Sequence, residues 1–114
     1  MTYAELSAHV DALCLQHGVT RRIIEGCKWL AWCEPGIRAI DVQPINSDED
    51  YALTLHEIGH VALCHRPEQP RCWKEVTAWL WAINAAKVWT QEMENLHRHC
   101  LRVWGITTAK PHTQ

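Results

Sequence analysis

Apolar residues recur at helical spacing near the start of the chain, at Leu6, Val10, Leu13 and Cys14, and Gly18 follows as a natural left-handed stop. Thr2 and Glu5 precede that stripe at the spacing of a capping box. The pattern predicts a first helix over residues 2–17. It then changes to short apolar runs at 19–24, 28–33 and 37–42, punctuated by Gly26 and by Pro35-Gly36. Pro-Gly suits the central positions of a type II turn. The last two runs are therefore expected to pair as an antiparallel hairpin, with Trp29, Ile40 and Val42 supplying buried positions. The first run reads equally well as a helix end. Asn46-Ser47-Asp48-Glu49-Asp50 combines cap-forming residues with negative charge, which the positive end of a helix dipole favours. A second helix is predicted over 48–65 and is ended by Arg66-Pro67, because a residue before proline avoids the helical region. Beyond a loop with two prolines, Ala78, Ala82, Ala85, Ala86, Leu96 and Leu101 predict one long third helix over 73–103, closed by Gly105. Residues 107–114 read as a flexible tail after a single domain spanning 1–106.

Composition narrows the class. At 114 residues the chain has room for one domain, and 47% apolar residues give it a small core. The net charge is −2, with no Lys/Arg block, which argues against a dedicated nucleic-acid binder. No run approaches the roughly 20 apolar residues of a membrane span. The first ten residues lack a basic-then-apolar signal pattern, so a cytoplasmic location is expected. The six cysteines are accordingly read as thiols rather than as a disulfide framework. Cys14 lies on the apolar stripe, and neither Cys27/Cys33 nor Cys64/Cys72 has the tight spacing of a zinc knuckle. Seven Trp and no Phe make Trp the core's large side chain, with an exposed subset available as a binding surface.

The chemistry centres on His56-Glu57-Ile58-Gly59-His60. Residues four apart lie one turn above each other on a helix, so the two imidazoles can share one zinc ion. Glu57 follows the first ligand and can reach a water on the metal instead of the metal itself. A chance match has a probability of roughly 4% in a chain of this composition, so context decides. The motif lies on a predicted helix behind a plausible cap. Leu53, Leu55, Ile58, Val61 and Leu63 wrap the rest of its surface, and two buried histidines on one face need a shared partner. A catalytic zinc needs a third protein ligand. Glu75 is the best placed, because Ala78 and Ala82 follow it at i+3 and i+7 and let the third helix approach the motif helix closely. His65, His97, His99 and Glu92 are the other candidates. His65 stands five residues beyond His60 and is rotated off the ligand face. His97 and His99 lie far down the third helix.

The runs His56-Glu57-Ile58-Gly59-His60, Val61-Ala62-Leu63-Cys64-His65 and Glu75-Val76-Thr77-Ala78-Trp79-Leu80-Trp81-Ala82 together resemble the ImmA/IrrE-type metallopeptidases of bacteria and their mobile elements. The resemblance covers about residues 37–86. It implies that His56, His60 and Glu75 are zinc ligands in a gluzincin-like arrangement and that Glu57 is the catalytic acid/base. It also implies a strand leading into the motif helix, and a repressor or antitoxin-like protein as substrate. The chain departs from the family in one respect. A Leu-Leu-Met-Pro-like stop usually follows the Ala-rich helix, whereas Ile83-Asn84-Ala85-Ala86-Lys87-Val88 is expected to continue it.

The expected fold class is α+β. It is a minimal zincin-like domain with an N-terminal helix, a small antiparallel or mixed sheet of two or three strands, and the motif helix packed on a long C-terminal helix. The expected activity is zinc-dependent peptide hydrolysis, in which Glu57 takes a proton from water and passes it to the leaving amine. Tyr51, His65, His97 and Arg98 are candidates for stabilising the transition state. The partner is a protein or peptide substrate, which can dock as an extended strand beside the motif helix. The alternatives are a zinc-containing interaction module without turnover, whose Trp-rich surface engages a partner, and a metal-free helical interaction protein.

Overall fold

The computed structural model describes residues 1–25, 32–103 and 105. The order is α1 (Tyr3–His17), β1 (Thr20–Ile23), β2 (Trp32–Glu34), a 3-10 turn (Pro35–Ile37), β3 (Ala39–Val42), α2 (Asp48–Ala62), α3 (Arg71–Ala85) and α4 (Gln91–Val103). The class is α+β. Trp29, most of the run at 28–33 and the tail at 107–114 lie outside the described residues.

The capping box forms at α1. Glu5 N–H donates to Thr2 Oγ1 at 3.1 Å, and Thr2 N–H donates to Glu5 Oε1 at 2.7 Å. Gly18 takes φ 65° and ends the helix, with its own N–H donating to Leu15 O and that of Val19 to Cys14 O. These two bonds satisfy carbonyls that the last turn would otherwise leave open. Leu6, Val10 and Cys14 face the core.

The sheet is mixed and has three strands in the order β1-β3-β2. β2 pairs antiparallel to β3, and β1 pairs parallel to β3 in the register Thr20↔Ala39 to Ile23↔Val42. Arg22 and Asp41 are directly opposed and joined by two bonds of 2.6 and 3.0 Å. The link between β2 and β3 differs from the expected type II turn. Pro35–Ile37 forms a 3-10 turn, and the left-handed residue is Arg38, at φ 54°. Its guanidinium explains the choice. It donates to His17 O at 2.6 Å and to Val61 O at 3.4 Å, joining the carbonyl ends of α1 and α2, where a cation is favoured.

Ser47 caps α2 by accepting from Asp50 N–H at 3.1 Å. The helix is shorter than the predicted 48–65. It gives way at Leu63, Cys64 takes φ 56°, and the chain turns back before Pro67 is reached. Residues Tyr51, Ala52 and Thr54 through Val61 are all buried, so α2 is the central element, with α1, the sheet, α3 and α4 packed around it.

The single helix expected over 73–103 is two helices. Ala86 is extended, and Lys87 N–H donates to the buried Tyr51 hydroxyl at 3.0 Å instead of to a carbonyl one turn back. Thr90 Oγ1 donates to Asp48 Oδ2 at 2.8 Å and accepts from Met93 N–H at 3.4 Å, at the start of α4. Tertiary contacts override propensity here. A straight helix of that length, about 46 Å, would leave its second half with nothing to pack on. The break lets α4 return against α2 and bury Met93 and Leu101. Among the described residues, the largest fully buried side chain is Trp79, whereas Trp73 is 49% exposed.

Cys14, Cys64, Cys72 and Cys100 are free thiols. Burial pushes Cys14 up to about 11, and burial with the nearby Glu75 and Glu57 charges does the same for Cys100. Iodoacetamide at pH 8 should therefore modify the exposed Cys64 and Cys72 of the native protein within minutes, and Cys14 only after unfolding. Peptide mass mapping of a time course checks this, and rapid native labelling of Cys14 would contradict the packing of α1.

Candidate metal centre

His56 and His60 project from one face of α2 as the i, i+4 spacing requires, with ring centroids 4.6 Å apart. Both are buried, as is Glu57. One potential ligand atom from each of the three lies within 4.8 Å of the others, so His56, Glu57 and His60 form a cluster that can hold a metal ion. Glu75 reaches the same place from the first turns of α3. Its Oε1 is 3.0 Å from His56 Nε2, its Oε2 is 3.1 Å from His60 Nε2, and the two Nε2 atoms are 3.2 Å apart.

Glu75 arrives there because α2 and α3 pack almost backbone to backbone. A Cβ placed on Gly59 would lie 2.9 Å from the carbonyl oxygen of Ala78 and 3.3 Å from Trp81 Cε3. Ala78 and Ala82 are fully buried at this contact. Glycine on one helix and alanine on the other bring the axes close enough for a glutamate to span the gap.

Three neighbours fix the imidazoles. Glu57 Oε2 lies 3.0 Å from His56 Nδ1, and Trp79 stacks on the His56 ring at 4.3 Å with 14° between planes. His60 Nδ1 lies 2.9 Å from His65 Nδ1, and His65 Nε2 lies 3.0 Å from Thr77 Oγ1. The charges are coupled. Burial works against a charged His56, but the carboxylates of Glu57 and Glu75 outweigh it and raise its pKa to about 9. Burial also works against the Glu75 charge, but bonds to His56 and His60 hold its carboxyl well below the usual range. Burial, followed by the electrostatic influence of His60 and Lys74, lowers the pKa of His65 to about 4. A metal ion held here would compete with a proton for His56, so its uptake would release protons.

The other candidates from the sequence are dispersed. Tyr51 is fully buried on α2. Its hydroxyl is 2.7 Å from His9 Nδ1 and also accepts from Lys87 N–H, a bond that ties α2 to the break between α3 and α4. His97 packs on Trp79 at 5.1 Å, with its Nδ1 3.6 Å from Glu94. Arg98 pairs with Glu94 at 2.9 Å and is about half exposed. Glu92 and His99 line a cavity of about 690 Å³ between α2 and α4, together with Leu53, Leu96 and Cys100. Three residues at the centre were not singled out from the sequence. Trp79 follows Glu75 by four and so shares its helix face, a readable signal. Thr77 and the role of Gly59 depend on how the helices approach, which spacing alone does not encode.

Comparison with protein-family models, with curated proteins and with solved structures finds no match. Among the described residues, no helix is long and apolar enough to cross a membrane.

Gly59→Ala tests the close approach. In an isolated helix the change would gain about 1 kcal/mol. Here the new methyl meets the Ala78 backbone, and a net loss of about 1–3 kcal/mol is expected, with poorer metal retention as Glu75 is displaced. Thermal melts with and without zinc check both. A Gly59→Ala protein more stable than wild type would contradict this packing.

Proposed function

We propose that the chain is a zinc-dependent metallopeptidase, of the type seen in the ImmA/IrrE family, with a minimal zincin-like fold. The observation that carries this reading is the convergence of His56 Nε2, His60 Nε2 and the Glu75 carboxylate, all 3.0–3.2 Å apart. Tetrahedral zinc with bonds of about 2.0–2.1 Å separates its ligands by roughly 3.3–3.4 Å. The triangle is therefore nearly the right size for one ion. Two neutral imidazoles and a carboxylate suit zinc, and three protein ligands leave one position for substrate or water.

His56, His60 and Glu75 would hold the ion. The ion would supply Lewis-acid chemistry, acidifying water toward neutrality and polarising a peptide carbonyl. Glu57 provides the proton chemistry. On this reading the Glu57 carboxylate, whose Oε2 lies 3.0 Å from His56 Nδ1, takes the proton from attacking water and delivers it to the leaving amine. Trp79 covers the His56 ring and keeps water from that side. The substrate on this reading is an extended segment of a regulatory protein, a repressor or antitoxin-like chain.

One observation favours a second reading. A carboxylate on the far nitrogen of a ligand histidine is also the arrangement that orients ligands in purely metal-holding sites. On that reading Glu57 serves the metal alone and the protein is a zinc-containing interaction module. Glu57→Gln separates the two. As a peptidase the variant retains zinc and loses about 10²–10⁴-fold in cleavage of a general protein substrate such as casein. Cleavage unchanged by Glu57→Gln, in a protein that does cleave, would remove Glu57 from the mechanism.

A further inference from the structure

We propose that His65 and Thr77 are positioning residues that hold His60 in the one tautomer able to give its Nε2 to a metal. The inference rests on the metal-centre reading above and adds to it a part of the chain that binds no metal itself.

The placement of His65 begins with the end of α2. Cys64 N–H donates to Val61 O and His65 N–H donates to His60 O, both at 3.0 Å. This is the pair of bonds of a Schellman turn, with Cys64 in the left-handed position usually taken by glycine. The turn folds the chain back on the helix, so that His65, too far round to share the ligand face, comes under His60 instead. Its ring is 3% exposed and sits between the rings of His60 and Trp73, with centroid separations of 5.1 Å to each.

The hydrogens can then be assigned from one fixed end. Thr77 has one hydroxyl hydrogen. Its Oγ1 lies 2.7 Å from Trp73 O, one turn back on α3, the usual bond of a threonine inside a helix. With that hydrogen committed, Thr77 Oγ1 can only accept from His65 Nε2, at 3.0 Å. A neutral imidazole carries one hydrogen, so His65 Nδ1 is a bare acceptor. It faces His60 Nδ1 at 2.9 Å, which must therefore be the N–H. In the neutral form that a metal ligand requires, His60 Nε2 then carries the lone pair, aimed at the place where His56 Nε2 and Glu75 converge. The opposite assignment would place a hydrogen on His60 Nε2 and block coordination. The chain Trp73 O, Thr77, His65, His60 thus carries a choice made by the α3 backbone to a ligand on α2.

The test measures zinc affinity by competition with a chromophoric chelator and coordination geometry by the visible spectrum of the Co²⁺-loaded protein. His65→Ala should bind zinc about 10–100-fold more weakly, with an altered Co²⁺ spectrum. His65→Asn places an amide oxygen where Nδ1 was and should recover most of the affinity. Thr77→Val keeps the shape of the side chain, removes the acceptor and should lose affinity in the same direction as His65→Ala. Thr77→Ser should behave like wild type. If wild type binds no zinc, the metal-centre reading fails, and this inference with it. If wild type binds zinc and both His65→Ala and Thr77→Val bind it equally tightly with unchanged spectra, the metal centre stands and the positioning role is overturned. Should His65→Ala fail to fold, the comparison of Thr77→Val with Thr77→Ser decides.

Discussion

Everything at the centre of this molecule depends on how closely α2 and α3 approach. The Gly59 backbone sits against the Ala78 carbonyl, with no room for a methyl between them. At this spacing Glu75 spans the gap and meets both Nε2 atoms. Gly59, Ala78 and Ala82 set the closest approach, with Trp79 and Trp81 packed beside it. Its worth lies in the geometry it imposes on charged groups, which then hold each other. A carboxylate and two histidines in a buried site would be costly apart, and together they leave little unpaired.

The surrounding elements keep α2 in place. α2 is buried on nearly all sides, which for a helix carrying two histidines is tolerable only because the imidazole nitrogens have partners. Arg38 joins its carbonyl end to that of α1. Tyr51 reaches out of it to hold the break between α3 and α4. The break returns α4 to the site, where His97 packs on the far side of the Trp79 and His56 stack. α1, the sheet, α3 and α4 thus enclose the helix that holds His56, Glu57 and His60.

Local signals were legible where they are self-contained. The Thr2–Glu5 box, the Gly18 stop, the Ser47 cap and the i, i+4 histidines each need only a few consecutive residues to act. The third face of the cluster was legible too, because Ala78 and Ala82 announce a close helix contact on the Glu75 side. What failed was decided at a distance. The break at 86–90 contains neither glycine nor proline and exists because Tyr51 takes the Lys87 N–H and Asp48 engages Thr90. The left-handed residue of the β2–β3 link is Arg38, chosen by two helix ends far away in sequence. The end of α2 lies at Cys64, where no glycine marks it. The position of His65 follows from that turn, so its partner could not be read from spacing alone.

The central claim is that His56, His60 and Glu75 together hold one zinc ion. Elemental analysis of the protein purified without added metal, beside a Glu75→Ala variant treated identically, tests it most directly. The account predicts about one zinc per chain in wild type and a clear loss in Glu75→Ala. Wild-type protein that carries no metal, and takes up none when zinc is supplied, would contradict it.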